Sequence, residues 1–165
     1  MNMNDLVPMS IKGLMLDPMS NSPIVVLKDD DEKLFLPIWV GIFEANAIAL
    51  EMEKVTTPRP MTHDLLKNLL SELDAKVERI VINDLRDNTF FARIHLLRGD
   101  TRWNVDSRPS DAIALALRVD AEIFVEEEVL EKSKTLKPDG EETDPERLKK
   151  WLEEVNPEDL GKYRM

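Results

Sequence analysis

The stretch VERIVINDLRDNTFFARIHLLRGDTRWNVD, residues 77–106, decides the fold of this chain. Val77–Leu85 is rich in β-branched residues and predicts a strand, and residues 86–88 (Arg-Asp-Asn) predict the hairpin turn that follows it. Over residues 90–97 the side chains alternate between two differently composed faces, as they do in a strand. A second turn, at residues 99–100, leads into another alternating segment. The stretch therefore predicts consecutive strands joined by tight turns.

The residues before this stretch predict three further strands and two helices. Residues 9–16, 24–27 and 34–40 are strand-like and together predict an antiparallel meander. Residues 42–52 carry apolar side chains at helical spacing, and the leucines of residues 65–73 do the same after a proline-rich loop.

After the central stretch, residues 112–118 predict a short helix whose small side chains permit close packing, and residues 122–125 predict a last strand. A helix begins near residue 126, and a capping-box pattern predicts another over residues 143–155. This order of elements predicts an α+β fold: an antiparallel or mixed β-sheet meander with helices packed on it, plus a C-terminal helical appendage. We expect one domain over residues 1–132, followed at 133–165 by an acidic linker and the C-terminal helix.

The composition excludes several classes of function and of functional site. The chain has 165 residues, 42% of them hydrophobic, which is enough for a real core. Its formal net charge of −11 argues against broad, sequence-independent binding of nucleic acid. The absence of cysteine excludes disulfides, thiolate zinc sites and cysteine nucleophiles. There is no signal-peptide pattern and no apolar run long enough to cross a bilayer, so we expect a cytoplasmic protein without membrane contact.

Two short motifs share one layout, Arg-Pro-Met-Thr-His-Asp at residues 59–64 and Arg-Pro-Ser-Asp at residues 108–111. In each, an arginine precedes a proline, and a hydroxyl residue and an aspartate follow at the start of a helical pattern. Thr62 and Ser110 are the expected helix N-caps, and the aspartates would complement the helix dipole. Alternatively, carboxylates beside a hydroxyl suit Mg²⁺ or Mn²⁺. Asp64 and Asp111, with Asp106, are then the candidate metal ligands.

The two arginines of these motifs also allow two interpretations. Arg59 and Arg108 can each hold a phosphate through their planar guanidinium groups. Each can equally pair with the aspartate of the other motif and form a structural ionic lock. The sequence leaves both interpretations open. Glu44, in the first turn of a predicted helix, is explained by the helix dipole.

The chain has two histidines, His63 and His95. His63 lies in a first helical turn, where a cation is disfavoured, so we expect a neutral imidazole that is suited to proton transfer. His95 alternates with Arg93 on the more polar face of its strand, and we expect it to be exposed. No glycine-rich phosphate loop is present, so we expect no organic cofactor.

Five motifs in this order resemble the bifunctional nuclease family, here in its bacterial form, which was first described as a domain of unknown function. The resemblance covers about residues 8–132, and the motifs that carry it lie at residues 12–18, 36–41, 59–66, 82–87 and 108–116. It implies an α+β domain that self-associates, as a homo-oligomer with a dimer favoured, and a nuclease that acts on DNA and RNA.

Two functions follow as hypotheses. The first is a metal-assisted nuclease in which Asp64 and Asp111, with Asp106 or Asp84, hold the ion. Arg59 and Arg108 then stabilise the phosphoryl charge, and His63 moves a proton. The second is a non-catalytic oligomeric scaffold, or a regulatory ligand-binding domain, in which the same motifs form a structural ionic lock.

Overall fold

Two three-stranded antiparallel meanders are the building units of the sheet. The computed structural model describes residues 3–133. Its strands are β1 Leu6–Leu16, β2 Pro23–Asp29, β3 Phe35–Trp39, β4 Lys76–Arg86, β5 Thr89–Arg98, β6 Thr101–Ser107 and β7 Glu122–Glu126. Its helices are α1 Ile42–Met52, α2 Thr62–Glu72, α3 Pro109–Val119 and α4 Glu127–Ser133, and a short 3-10 turn, Met3–Asp5, precedes β1.

The last strand, β7, joins the two meanders into one sheet with the order β3-β2-β1-β7-β4-β5-β6. It runs antiparallel to β1 and parallel to β4. The parallel pair needs a crossover connection, and α3 provides it between β6 and β7. The predicted α+β class with a mixed sheet is confirmed. The predicted linker and C-terminal helix, from residue 134 onward, lie outside the described residues.

The turn between β4 and β5 matches the prediction from its sequence. Arg86 pairs with Thr89, so the loop has two residues, Asp87 and Asn88. Both have positive φ angles, 51° and 60°. This is the conformation of the type I′ turn, which fits the twist of a two-stranded hairpin and favours these residue types.

Helices α1 and α3 pack on one face of the sheet, and α2 packs against α3. Ile80 of β4 and Val125 of β7 are fully buried beneath them, together with Ala112 and Ile113 of α3. The small side chains of α3 bring its backbone close to the sheet, as predicted. Helix α2 differs, because His63 is its only buried residue. Three of its four leucines, Leu65, Leu66 and Leu69, are exposed, and so is Leu73, which follows the helix.

One buried arginine ties these three helices together. Arg118 of α3 donates from Nη1 to the carbonyl oxygen of Ala114, at 2.8 Å, and from Nη2 to that of Ala47 in α1, at 2.9 Å. Its Nε lies 2.7 Å from Oδ1 of Asp64 in α2. The side chain is only 3% exposed, so this ion pair is shielded from water on the arginine side.

Asp64 has a second partner at the start of its own helix. The backbone N–H of Met61 donates to its Oδ2 at 2.9 Å. That hydrogen bond lowers the pKa of Asp64; burial opposes the effect, and the hydrogen bond and charge of Arg118 add to it. Asp64 therefore stays ionised and serves as a structural anchor for α2.

We predict that Arg118→Met destabilises the protein by about 3 kcal/mol, because it leaves a partly buried carboxylate without its cation. The measurement is the free energy of unfolding in denaturant. Arg102→Met is the matched control. The Arg102 side chain is 66% exposed and pairs with Glu78, so its loss should cost less than about 1 kcal/mol. Equal losses in the two variants would contradict the role assigned to Arg118.

Candidate functional site

The candidate site lies where the N-terminal ends of α1, α2 and α3 meet. Each helix contributes one side chain from its first turn: Glu44 from α1, His63 from α2 and Asp111 from α3. Arg108, the residue before α3, completes the group. Hydrogen bonds link these four side chains in the order His63, Asp111, Arg108 and Glu44.

The central contact joins the two Arg-Pro motifs. Nε2 of His63 lies 2.9 Å from Oδ1 of Asp111. His63 is 7% exposed, and its other ring nitrogen, Nδ1, makes no hydrogen bond within residues 3–133. A carboxylate accepts only, so Nε2 carries the proton that it shares with Asp111. In the neutral form of the ring, Nδ1 is then the acceptor.

Arg108 holds Asp111 from the other side. Its Nε donates to Oδ2 of Asp111 and its Nη2 to Oε1 of Glu44, each at 2.8 Å. Burial alone would raise the pKa of Asp111, but the hydrogen bonds and charges of Arg108 and His63 outweigh it and lower that pKa. The same two carboxylates raise the pKa of Arg108. Asp111 is therefore ionised and fixed in orientation.

Gly41 permits the position of Glu44. It is the N-cap residue of α1, and a Cβ atom at this position would overlap Oε2 of Glu44. The glutamate therefore folds back over the start of its own helix and reaches Arg108. From the sequence, Glu44 was interpreted only as a residue that complements the helix dipole. Its ion pair with Arg108 was not predicted, because Arg108 is 64 residues away along the chain.

The predicted site residues fall into two groups. His63, Asp111 and Arg108 lie together, whereas Asp64 is held by Arg118 in the structural ion pair described above. The aspartates of the two motifs do not bind the other motif's arginine. Arg108 binds the aspartate of its own motif, and the contact between motifs is made by His63. Arg118 carried one signal in the sequence, as the only charged side chain of an otherwise small and apolar helical segment after Asp111.

Arg59 and Asp106 stand apart from this group. Arg59 is exposed, and within the described residues its guanidinium binds no carboxylate; only its carbonyl is used, by Oγ1 of Thr57 at 2.8 Å. Asp106 lies exposed on β6, next to Arg93 of β5. The structure thus leaves Arg59 free to bind an anion and separates Asp106 from the ion pairs of Asp64 and Asp111.

The expected helix caps are wrong by one or two residues. The N-cap of α2 is Met61 rather than Thr62, since Asp64 reaches back to the N–H of Met61 from the third helical position. The N-cap of α3 is Arg108 rather than Ser110, because Pro109 occupies the first helical position, which its fixed φ angle favours. The hydroxyl residues of the two motifs therefore begin the helices without capping them.

The predicted metal ligands were compared with the requirements of a divalent cation. Both carboxylate oxygens of Asp64 and of Asp111 already accept hydrogen bonds from protein donors. Within residues 3–133 no group of three or more histidine, aspartate or glutamate side chains is arranged to hold a metal ion. The residues do not fit such an ion in this arrangement, and the metal-assisted route stays a prediction.

His95 is not the exposed residue that the sequence predicted. It is half-buried in β5, between β4 and β6, and its Nε2 is buried without a hydrogen-bond partner. Its neighbours on the two adjacent strands, Arg79 and Asn104, lie beside the ring on the same face and shield it from water. Burial is also the main cause that lowers its pKa.

Comparison with known proteins was made by family and by sequence. The bifunctional nuclease domain family model matches residues 25–137. An uncharacterized protein of Mycobacterium tuberculosis is 37% identical over 159 residues, which cover 91% of this chain and 95% of that protein. No helix within residues 3–133 is long and apolar enough to span a bilayer.

Two plant proteins are similar over a shorter region. Bifunctional nuclease 2 of Arabidopsis thaliana is 30% identical over 108 residues, covering 64% of this chain and 33% of the plant protein. Bifunctional nuclease 1 of Oryza sativa subsp. japonica is 24% identical over 112 residues, covering 66% and 34%. The extent of the family match, together with the mycobacterial relative, shows that this chain belongs to the bifunctional nuclease domain family.

Proposed function

We propose that this protein is a nuclease that hydrolyses phosphodiester bonds in DNA and RNA, with His63 as its general base. The observation that carries the proposal is the hydrogen bond between His63 and Asp111, which joins the two Arg-Pro motifs. The names of the plant relatives support the class of reaction. A carboxylate that orients an imidazole is a recurrent arrangement in hydrolytic sites.

In this proposal, His63 activates a water molecule. Asp111 accepts from Nε2 and holds the ring, so that Nδ1 takes a proton as the water oxygen bonds to phosphorus. The ester P–O bond on the opposite side breaks, and the leaving oxygen takes a proton from solvent. The negative charge of Asp111 stabilises the imidazolium that forms.

Arg108 and Arg59 are the proposed anion-binding groups. Arg108 uses Nε and Nη2 for Asp111 and Glu44, which leaves Nη1 without a partner among the described residues. Its side chain is 64% exposed, so a phosphoryl oxygen can reach Nη1. Arg59 lies four residues before His63 in the chain, is exposed, and binds no carboxylate among the described residues. Guanidinium donors aimed at the phosphoryl oxygens would stabilise the charge that develops there.

The chain's net charge of −11 does not exclude this role. Charges more than about 10 Å from a bound phosphate are largely screened at ordinary salt concentrations. The donors that contact the phosphate directly therefore matter most. The nucleic acid would therefore bind through few phosphate contacts, and its affinity should depend only weakly on salt.

The test is cleavage of single- and double-stranded DNA and RNA by the purified protein, with Mg²⁺, with Mn²⁺ and with EDTA. We expect His63→Gln and Asp111→Asn to slow cleavage about 100-fold or more, as loss of a general base does. Asp100→Asn, in the exposed turn between β5 and β6, is the matched control and should retain full activity. Thermal unfolding verifies that each variant is folded.

Cleavage at the wild-type rate by folded His63→Gln and Asp111→Asn proteins would overturn the proposal. Cleavage that requires Mg²⁺ or Mn²⁺ and is also lost in Asp64→Asn would instead favour the metal-assisted route, with Asp64 released from Arg118.

A second candidate function is a non-catalytic oligomeric module. The observation that favours it is the row of exposed leucines on α2, since exposed apolar surface of this kind marks sites of association. A second copy of the chain, a dimer by preference, can cover the row with its own. This candidate requires that the pure protein cleaves no substrate and that Leu69→Lys converts an oligomer into a monomer in light scattering.

A further inference from the structure

A row of nitrogen donors crosses the sheet on the face opposite helices α1 to α3. Arg79 of β4 pairs with His95 of β5, which pairs with Asn104 of β6. The neighbouring pair, Ile80 and Ile94, packs into the core beneath the helices. Because successive side chains alternate between faces, Arg79, His95 and Asn104 share the other face, with directly opposite Cβ atoms about 5 Å apart.

Two nitrogen atoms of this row are buried without partners. Nε of Arg79 and Nε2 of His95 have no exposed surface and no hydrogen bond. Arg93, two residues before His95 on the same face, likewise has no acceptor within the described residues. Buried polar atoms are normally paired, so these nitrogen atoms need a partner that the described residues do not supply, and a bound anion can be that partner.

The nearby carboxylates do not supply that acceptor. Glu78 receives both of its hydrogen bonds from Nη1 of Arg102, at 2.6 and 2.7 Å. Glu122 is the strand neighbour of Arg79, and Asp106 that of Arg93, yet both are exposed and neither forms an ion pair with its neighbour. The positive charges of Arg79 and Arg93 therefore stay uncompensated around His95.

The electrostatics of His95 agree with this arrangement. Burial is the largest cause that lowers its pKa, the charge of Arg79 adds to the effect, Glu78 opposes it, and Arg93 lowers the pKa further. An anion bound between the two arginines would counteract the lowering of the His95 pKa by the charges of Arg79 and Arg93.

We propose that Arg79, Arg93 and His95, with Asn104 beside them, form a binding site for a phosphate-type oxyanion. Guanidinium groups bind such oxygens in a planar, bidentate way, and an imidazole and an amide add single donors. Inorganic phosphate, a nucleotide phosphate and a backbone phosphodiester share this chemistry. The site lies on the opposite side of the sheet from His63 and does not depend on the proposed hydrolysis.

The test is nitrogen-detected NMR of the imidazole rings, in which the chain's two histidines give separate signals. The probes are inorganic phosphate, a nucleoside monophosphate and a single-stranded oligonucleotide without terminal phosphates, each at constant ionic strength set with chloride. We expect a saturable shift of the His95 signals, with a higher pKa for His95 in the bound form. Arg79→Gln should weaken binding about tenfold or more, since it removes a charged donor.

Arg102→Gln is the matched control, because it removes the same charge from the same sheet face at a residue already paired with Glu78. It should change the affinity less than twofold. If Arg79→Gln does not fold, as judged by thermal unfolding, Arg93→Gln takes its place, and Arg79→Lys should retain part of the binding.

The three probes identify the source of the anion. Saturation by phosphate and the monophosphate alone identifies a free phosphate or phosphomonoester ligand, and tighter binding of the oligonucleotide identifies the nucleic-acid backbone. No saturable response of His95 to any probe would overturn the proposal. Equal weakening by Arg79→Gln and Arg102→Gln would also overturn it, since the face would then bind anions without a defined site. Neither result depends on whether the protein cleaves nucleic acid.

Discussion

The carboxylate of Asp111 is the interaction on which the helix layer and the candidate site both depend. One oxygen accepts from His63 of α2 and the other from Arg108 at the start of α3, and Arg108 carries the network on to Glu44 of α1. A single anion thereby fixes the relative positions of three helix N-termini. Its charge is favourable there, because the N-terminal end of a helix carries partial positive charge.

A second ion pair, between Arg118 and Asp64, also holds the three helices together. Arg118 and Asp64 link the same three helices and are more deeply buried on the arginine side. Because that ion pair and the apolar packing of α3 support the helices, the network around Asp111 does not have to do so alone. The two motifs have similar sequences but different roles: Asp111 belongs to the candidate site, whereas Asp64 belongs to the structural ion pair.

Much of the fold could be predicted from local patterns. The alternation along β4 and β5 and the Asp87-Asn88 turn are local features, and the structure agrees with both. The central place of β7 was not predictable, because it depends on pairing with β1, which lies more than 100 residues earlier in the chain. The burial of His95 was missed for a related reason: its strand face looks polar, but the neighbouring strands enclose it.

The site was predicted only in part, for reasons of distance along the chain. The Arg-Pro motifs predicted His63, Asp111 and Arg108 as site residues, and these three side chains are in contact. Glu44, which binds Arg108, and Arg118, which binds Asp64, lie 64 and 54 residues from these partners along the chain. No local spacing rule connects residues so far apart, so the separation of Asp64 from Asp111 had to come from the tertiary structure.

The most direct test of these roles is the tautomer of His63, measured by the couplings between its ring protons and nitrogens at neutral or slightly alkaline pH. The hydrogen bond to Asp111 predicts that the proton of the neutral ring lies on Nε2, and that Asp111→Asn gives a mixture of tautomers. A wild-type ring with its proton on Nδ1 would contradict the proposed role of Asp111, because no acceptor nitrogen would then be available to a substrate.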